Sequence, residues 1–192
     1  MELDLANRIG ADCDLFTSPQ HTRSRILDVL RREAKIEAPW YDAGAGDGYH
    51  RQKLTEFSAV QPKVTEEDLD TGVFPVAPTG GFETITAIEL IEHLYNPLQF
   101  LLTMKSLLAD TGNFYLTTPN DYSLIYKCEH LLSRKYRPHF HQFSERDIRD
   151  IFARAQFPII TLKKFFRSRT GTIARISRNG FFIHARRPLQ RP

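Results

Sequence analysis

The spacing of apolar and polar positions changes along the chain, and the changes mark its elements. From Thr22 to Ala34, Ile26, Leu27, Val29 and Leu30 gather on one face while Arg23, Arg25, Arg31, Arg32 and Glu33 fall mostly on the other, as in an amphipathic helix. Pro39 ends the connection that follows, and Trp40 to Ala43 form a short first strand. A second helix is expected from about Tyr49 to Ser58, and Pro62 opens a second strand through Val64 towards Asp68. Phe82 to Leu90 reads as a buried strand, followed by a helix through Ala109, a turn at Gly112 and a strand from Phe114 to Thr118. A helix from Glu145 to Ala155 precedes a final antiparallel pair, Pro158 to Phe166 and Gly180 to Ala185, linked by Arg167 to Asn179.

Between the first strand and the second helix the chain reads Asp42-Ala43-Gly44-Ala45-Gly46-Asp47-Gly48. Glycines at alternate positions allow positive φ and let a ligand approach without a Cβ in the way, while the following helix aims its first N–H groups at the same place. A carboxylate at Asp42 would repel a pyrophosphate and attract a cationic group, which suits a nucleoside carrying an amino acid better than a dinucleotide. Such loops also serve nicotinamide and flavin cofactors, so spacing further along the chain has to arbitrate.

Here the sequence resembles the class I S-adenosylmethionine-dependent methyltransferases, whose first motif is an acid followed by glycines at alternate positions. Asp42, Gly44, Gly46 and Gly48 fill every place in it. Glu89-Leu90-Ile91-Glu92-His93, then Asn96-Pro97, then an apolar helix and Thr117-Thr118-Pro119-Asn120 resemble the group that includes quinone-biosynthesis O-methyltransferases. His139-Phe140-His141-Gln142-Phe143-Ser144 has the look of that group's approach to its penultimate helix. The resemblance covers roughly residues 24 to 186. It implies an α/β, Rossmann-like three-layer sandwich over residues 1–192, with a mostly parallel sheet and an antiparallel last strand. Only Leu69 to Gly81 lie between the second strand region and the next, short for a helix and a strand, which points to a sheet trimmed at its third strand. Residues 1–37 form a lead-in and helix, and residues 121–143 an insert over the substrate.

The resemblance also implies roles. S-adenosylmethionine would lie on Asp42, Gly44, Ala45, Gly46 and Gly48, with Asp68 on the ribose hydroxyls and Leu69 and Glu89 beside it. His93, Glu92 and His139 are the catalytic candidates, for methyl transfer to an oxygen of a small-molecule, glycan or lipid-precursor acceptor. Two carboxylates and one or two imidazoles can hold a divalent ion that acidifies an acceptor hydroxyl, and Glu89, Glu92, His93 and His141 are the candidate ligands. The same residues allow two other expectations: RNA 3′-terminal 2′-O-methylation, since a metal-binding Glu-x-x-Glu-His occurs in enzymes of that kind, and a non-catalytic binding subunit. In the first reading with no metal, His93 is a base or caps a turn.

Composition narrows the classes further. The chain has 192 residues, 41% of them hydrophobic, enough for one domain with a core. No apolar run approaches membrane-spanning length and the N-terminus lacks a secretion signal, so a cytoplasmic protein is expected. Cys13 and Cys128 stand apart and suggest neither a zinc site nor a disulfide framework. The net charge of +3 hides an asymmetry, because residues 151–192 carry ten Lys and Arg and no Asp or Glu. That region is either a docking surface for an anionic partner such as RNA, or solvated strand edges.

Overall fold

The computed structural model describes residues 19–44, 46–63, 74–120, 122, 140–165 and 180–188. The lead-in, Ala45, the second strand beyond 63, Asp68, Leu69, nearly all of the insert including His139, and the link 167–179 lie outside the described residues.

Among the described residues the elements run α1 (Pro19–Glu33), β1 (Trp40–Ala43), α2 (Tyr49–Ser58), β2 (Pro62–Lys63), β3 (Phe82–Ile88), a 3-10 turn (Ile91–His93), α3 (Pro97–Leu107), β4 (Leu108–Pro119), α4 (Glu145–Arg154), β5 (Ile159–Phe165) and β6 (Gly180–Arg186). The sheet order is β2-β1-β3-β4-β6-β5. The first four strands are parallel, and β6 runs antiparallel to both β4 and β5. β2 is the edge strand, and Phe74 to Gly81 carry no strand that could extend the sheet beyond it, in keeping with the short spacing there.

Each strand alternates its side chains between two layers of helix, as the two-residue period requires. On one face Trp40, Tyr115 and Phe182 meet Ile26, Leu27 and Leu30 of α1 and Leu54 of α2. On the other, Tyr41, Ile85, Phe114, Phe181 and Ile183 meet Phe100, Leu101 and Met104 of α3 and Ile148 and Phe152 of α4. Phe114 stands at the centre of this layer, its ring centroid 5.3 Å from Phe157, 6.4 Å from Phe152 and 6.5 Å from Phe100.

Local chemistry sets the boundaries. Asn96 caps α3 by accepting from the Gln99 N–H at 3.1 Å, with Pro97 at the first helical position. Ser144 and Asp147 form a capping box at α4. Three boundaries differ from the sequence reading. β3 stops at Ile88 because Glu89 turns out of the strand with φ 52°. α3 ends at Leu107, and Leu108 already pairs with Phe82. Gly112 lies inside β4 rather than in a turn that precedes it. Register jumps from Phe82 opposite Leu108 to Thr84 opposite Asn113, and a Cβ on Gly112 would sit 2.6 Å from the Phe82 carbonyl oxygen.

Candidate active site

Two regions of the sequence meet at the carboxyl ends of β1, β3 and β4, where open α/β sheets place ligands. The first is the glycine loop. Gly44, Gly46 and Gly48 have φ of 62°, 54° and 76°, left-handed values that carry the chain from β1 into α2 within five residues. Gly44 is closely approached, since a Cβ there would lie 2.6 Å from Leu90 Cδ1. Among the described residues a Cβ on Gly46 would meet nothing nearer than the Gly44 carbonyl oxygen at 3.9 Å, so it would project into the open side of the loop they form. The backbone thus forms a cradle that side chains would fill, which fits a ligand pressed against the main chain at a helix N-terminus.

Asp42, at the mouth of this loop, is buried with 6% exposure. Its Oδ1 accepts from the Thr86 hydroxyl, whose oxygen accepts from Trp40 Nε1 at 2.9 Å. Asp47 accepts from the Tyr49 N–H at 3.2 Å and pairs with Arg23 of α1 at 2.7 Å. The N–H bond from Tyr49 and the Arg23 guanidinium hold the Asp47 carboxyl below its usual range. The same guanidinium lies 5.3 Å from the centre of the Tyr49 ring, so α1 is fastened to the loop from outside. Burial pushes the His50 imidazole down.

The second region is the 3-10 turn. Glu89 donates its N–H to the Thr117 carbonyl at 2.9 Å, which joins the ends of β3 and β4. Glu92 is 1% exposed, and its Oε2 accepts from the Thr118 hydroxyl at 2.9 Å. Its backbone carbonyl accepts from the His141 N–H at 3.1 Å, bringing the segment before α4 to the same place. His93, next in sequence, has a side chain 54% exposed, with Nε2 4.0 Å from Glu92 Oε1. Beyond it a groove of about 430 Å³ runs between the start of α3 and α4, lined by Tyr95, Pro97, Leu98, His141, Phe143 and Ile151 among others. Tyr95 and Phe140 stack at its edge with ring centres 4.8 Å apart.

The structure therefore brings together Asp42, Gly44, Gly46 and Gly48 on one side, and Glu89, Glu92, His93 and His141 around the turn. The divalent-metal expectation finds no support: among the described residues no three His, Cys, Asp or Glu are placed to hold a metal ion. The physical reason lies in Glu92, whose carboxylate is drawn inward to Thr118 while the neighbouring His93 ring faces outward.

A family model described as a methyltransferase domain matches residues 14–162, three quarters of the chain and both halves of this site. The chain belongs to that family. This methyltransferase also resembles solved structures in fold. A SAM-dependent methyltransferase from Aquifex aeolicus matches with TM-score 0.62 and 13% identity over 94% of this chain and 97% of that one. Magnesium protoporphyrin IX methyltransferase from Synechocystis, solved with bound SAH, matches with TM-score 0.54 and 20% identity over 88% and 83%. The [4+2]-cyclase SpnF matches with TM-score 0.62 and 10% identity over 86% and 80%. Among curated proteins no sequence matches. The fold likeness carries architecture, and the family match carries the class: an S-adenosylmethionine-dependent methyltransferase.

Sequence reasoning missed the residues that hold the site from behind in this methyltransferase, namely Trp40, Thr86, Thr118, Arg23 and Asp47. The two threonines Thr84 and Thr86 in an otherwise apolar strand were the one available signal, since a buried hydroxyl needs a partner. No helix among the described residues is long and apolar enough to cross a membrane.

Proposed function

We propose that this methyltransferase binds S-adenosylmethionine at the β1–α2 loop and transfers its methyl group to an oxygen of a small-molecule, glycan- or lipid-linked acceptor, acting in the cytoplasm. The observation that carries the reading is the run of three left-handed glycines directly after a buried, hydrogen-bonded Asp42. When bound, the cofactor supplies an electrophilic methyl carbon. Asp42 would pair with its ammonium group, the loop N–H groups with its carboxylate, and Asp68 with the ribose hydroxyls.

His93 is the general base. Its ring reaches water, as a group that meets an incoming acceptor must. Glu92 itself orients the turn through Thr118. The groove with Tyr95 and Phe140 at its edge supplies apolar and aromatic surface for the acceptor.

Of the described cations in the basic C-terminal region, Lys163 pairs with Glu33 at 2.6 Å, Lys164 with Glu145 at 2.8 Å and Arg187 with Asp110 at 3.3 Å. The test is calorimetric titration with S-adenosylhomocysteine and, separately, NAD, followed by transfer of labelled methyl to hydroxylated acceptors. Binding of NAD without S-adenosylhomocysteine would overturn the cofactor, and transfer only to nitrogen or carbon acceptors would overturn the oxygen.

A further inference from the structure

The support behind Asp42 begins with strand register. β1 and β3 are parallel with Asp42 opposite Thr86, so these two side chains leave the sheet on one face. Trp40, two residues before Asp42, leaves on that face as well. All three are buried, with Trp40 and Thr86 at 0% exposure. Trp40 Nε1 donates to Thr86 Oγ1, and Thr86 donates to Asp42 Oδ1.

The inventory of donors makes this chain directional. An indole N–H only donates, and a threonine hydroxyl has one proton. With Trp40 bonded to the hydroxyl oxygen, the hydroxyl proton is left for Asp42. A neutral Asp42 donating back would strand that proton inside the protein, and a buried donor left unmade is costly. The arrangement makes Asp42 Oδ1 the acceptor at the end of the chain and fixes its direction.

We propose that Thr86 is a positioning residue for cofactor binding, holding the Asp42 carboxyl oriented at the mouth of the glycine loop, and that Trp40 sets the polarity of the Thr86 hydroxyl. The proposal rests on reading that loop as the S-adenosylmethionine site. It gives the site a built-in reporter, because Trp40 is the sole tryptophan of the chain. Its N–H is one hydroxyl away from the carboxylate that would meet the ligand's ammonium group. Charge arriving at Asp42 polarises the hydrogen-bond chain and alters the emission of the indole.

The experiment measures S-adenosylhomocysteine binding by calorimetry and by tryptophan fluorescence in the full chain and in Thr86→Val, Thr86→Ser and Trp40→Phe. Thr86→Val keeps the shape and removes the hydroxyl. It is expected to bind about tenfold more weakly, the size of one hydrogen bond to a charged group, and to lose the emission change. Thr86→Ser restores affinity to within about threefold of the parent, which a role in packing would not do. Trp40→Phe weakens binding several-fold. Thr86→Val binding as tightly as the parent overturns the proposal, as does Thr86→Ser binding as weakly as Thr86→Val. Unchanged affinity in Trp40→Phe overturns the part assigned to Trp40. If Thr86→Val does not fold, Thr86→Ser is compared with Thr86→Ala, and equal affinities overturn the proposal. A parent protein that binds no S-adenosylhomocysteine overturns the cofactor reading itself, an outcome visible before any variant is made.

Discussion

One methyl group added to the glycine loop separates its effect on the fold from its effect on the ligand. Gly46 has φ 54°, so alanine there meets the left-handed penalty, about 1–2 kcal/mol. Among the described residues its Cβ would have no neighbour closer than 3.9 Å, and none of them has to move. For a chain of this size the melting temperature should fall by about 2–8 °C. At Gly44, with φ 62°, the same penalty applies, but the methyl would lie 2.6 and 2.8 Å from the two Cδ atoms of Leu90. Leu90 is packed against the main core and must shift, which adds about 1–3 kcal/mol. Gly44→Ala should therefore be the less stable variant by that margin in urea unfolding. Affinity for S-adenosylhomocysteine should not follow the same order. The Gly46 methyl projects into the open side of the loop, where the ligand would approach, so Gly46→Ala should bind at least about tenfold more weakly despite its milder effect on stability. Equal stabilities would refute the role of the Leu90 contact. Unchanged affinity in Gly46→Ala would place the cofactor elsewhere.

Three further outcomes are expected. His93→Ala should lower kcat by about 10²–10⁴ while leaving S-adenosylhomocysteine affinity nearly unchanged, and EDTA should leave the parent active; turnover lost to the chelator would return the metal to the site. Phe114→Ala should cost about 3–5 kcal/mol in urea unfolding, because its ring meets three other buried aromatics; a cost under about 1 kcal/mol would mean that the layer repacks freely. His184, bonded to Asn113 at 2.9 Å, has its imidazole pushed down, first by burial and then by Arg186. Below about pH 6.5 the unfolded chain takes up a proton that the native ring resists, so stability falls as pH falls, by at most about 1.4 kcal/mol per pH unit for this group. His184→Gln should show a shallower decline, and equal slopes from pH 7 to 5 would refute that assignment.

The parts of the molecule that were legible in the sequence are those whose causes are local. Asn96-Pro97 announces the start of α3 because cap and first-turn residues act within three positions, and Ser144 does the same for α4 with Asp147. The glycine loop was legible because each glycine reports on its own φ. The edges of β3 and β4 were not. Whether Leu108 ends a helix or begins a strand depends on its pairing with Phe82, and whether Gly112 is a turn depends on the Phe82 carbonyl beside it. Thr86 could be noticed as a hydroxyl in an apolar strand, but its role was hidden for the same reason. Its importance comes from lying opposite Asp42, a matter of register between segments 44 positions apart in the chain.

Turn geometry separates the metal-binding residue types of this motif among the described residues. Ligands must converge, whereas the 3-10 turn sends adjacent side chains in different directions. Glu92 points inward, accepts from the Thr118 hydroxyl at Oε2 and, at its carbonyl, from the His141 N–H. It ties β4 and the segment before α4 to the turn, work that a carboxylate committed to an ion would do less directly. His93 points outward with its Nε2 near the rim of that buried charge. An imidazole in this position keeps its exchange with water open. A buried acid that holds the turn and an exposed imidazole, the base in the proposed reaction, are complementary demands on one short turn. Adjacent residues in a 3-10 turn, which face different sides, can meet both.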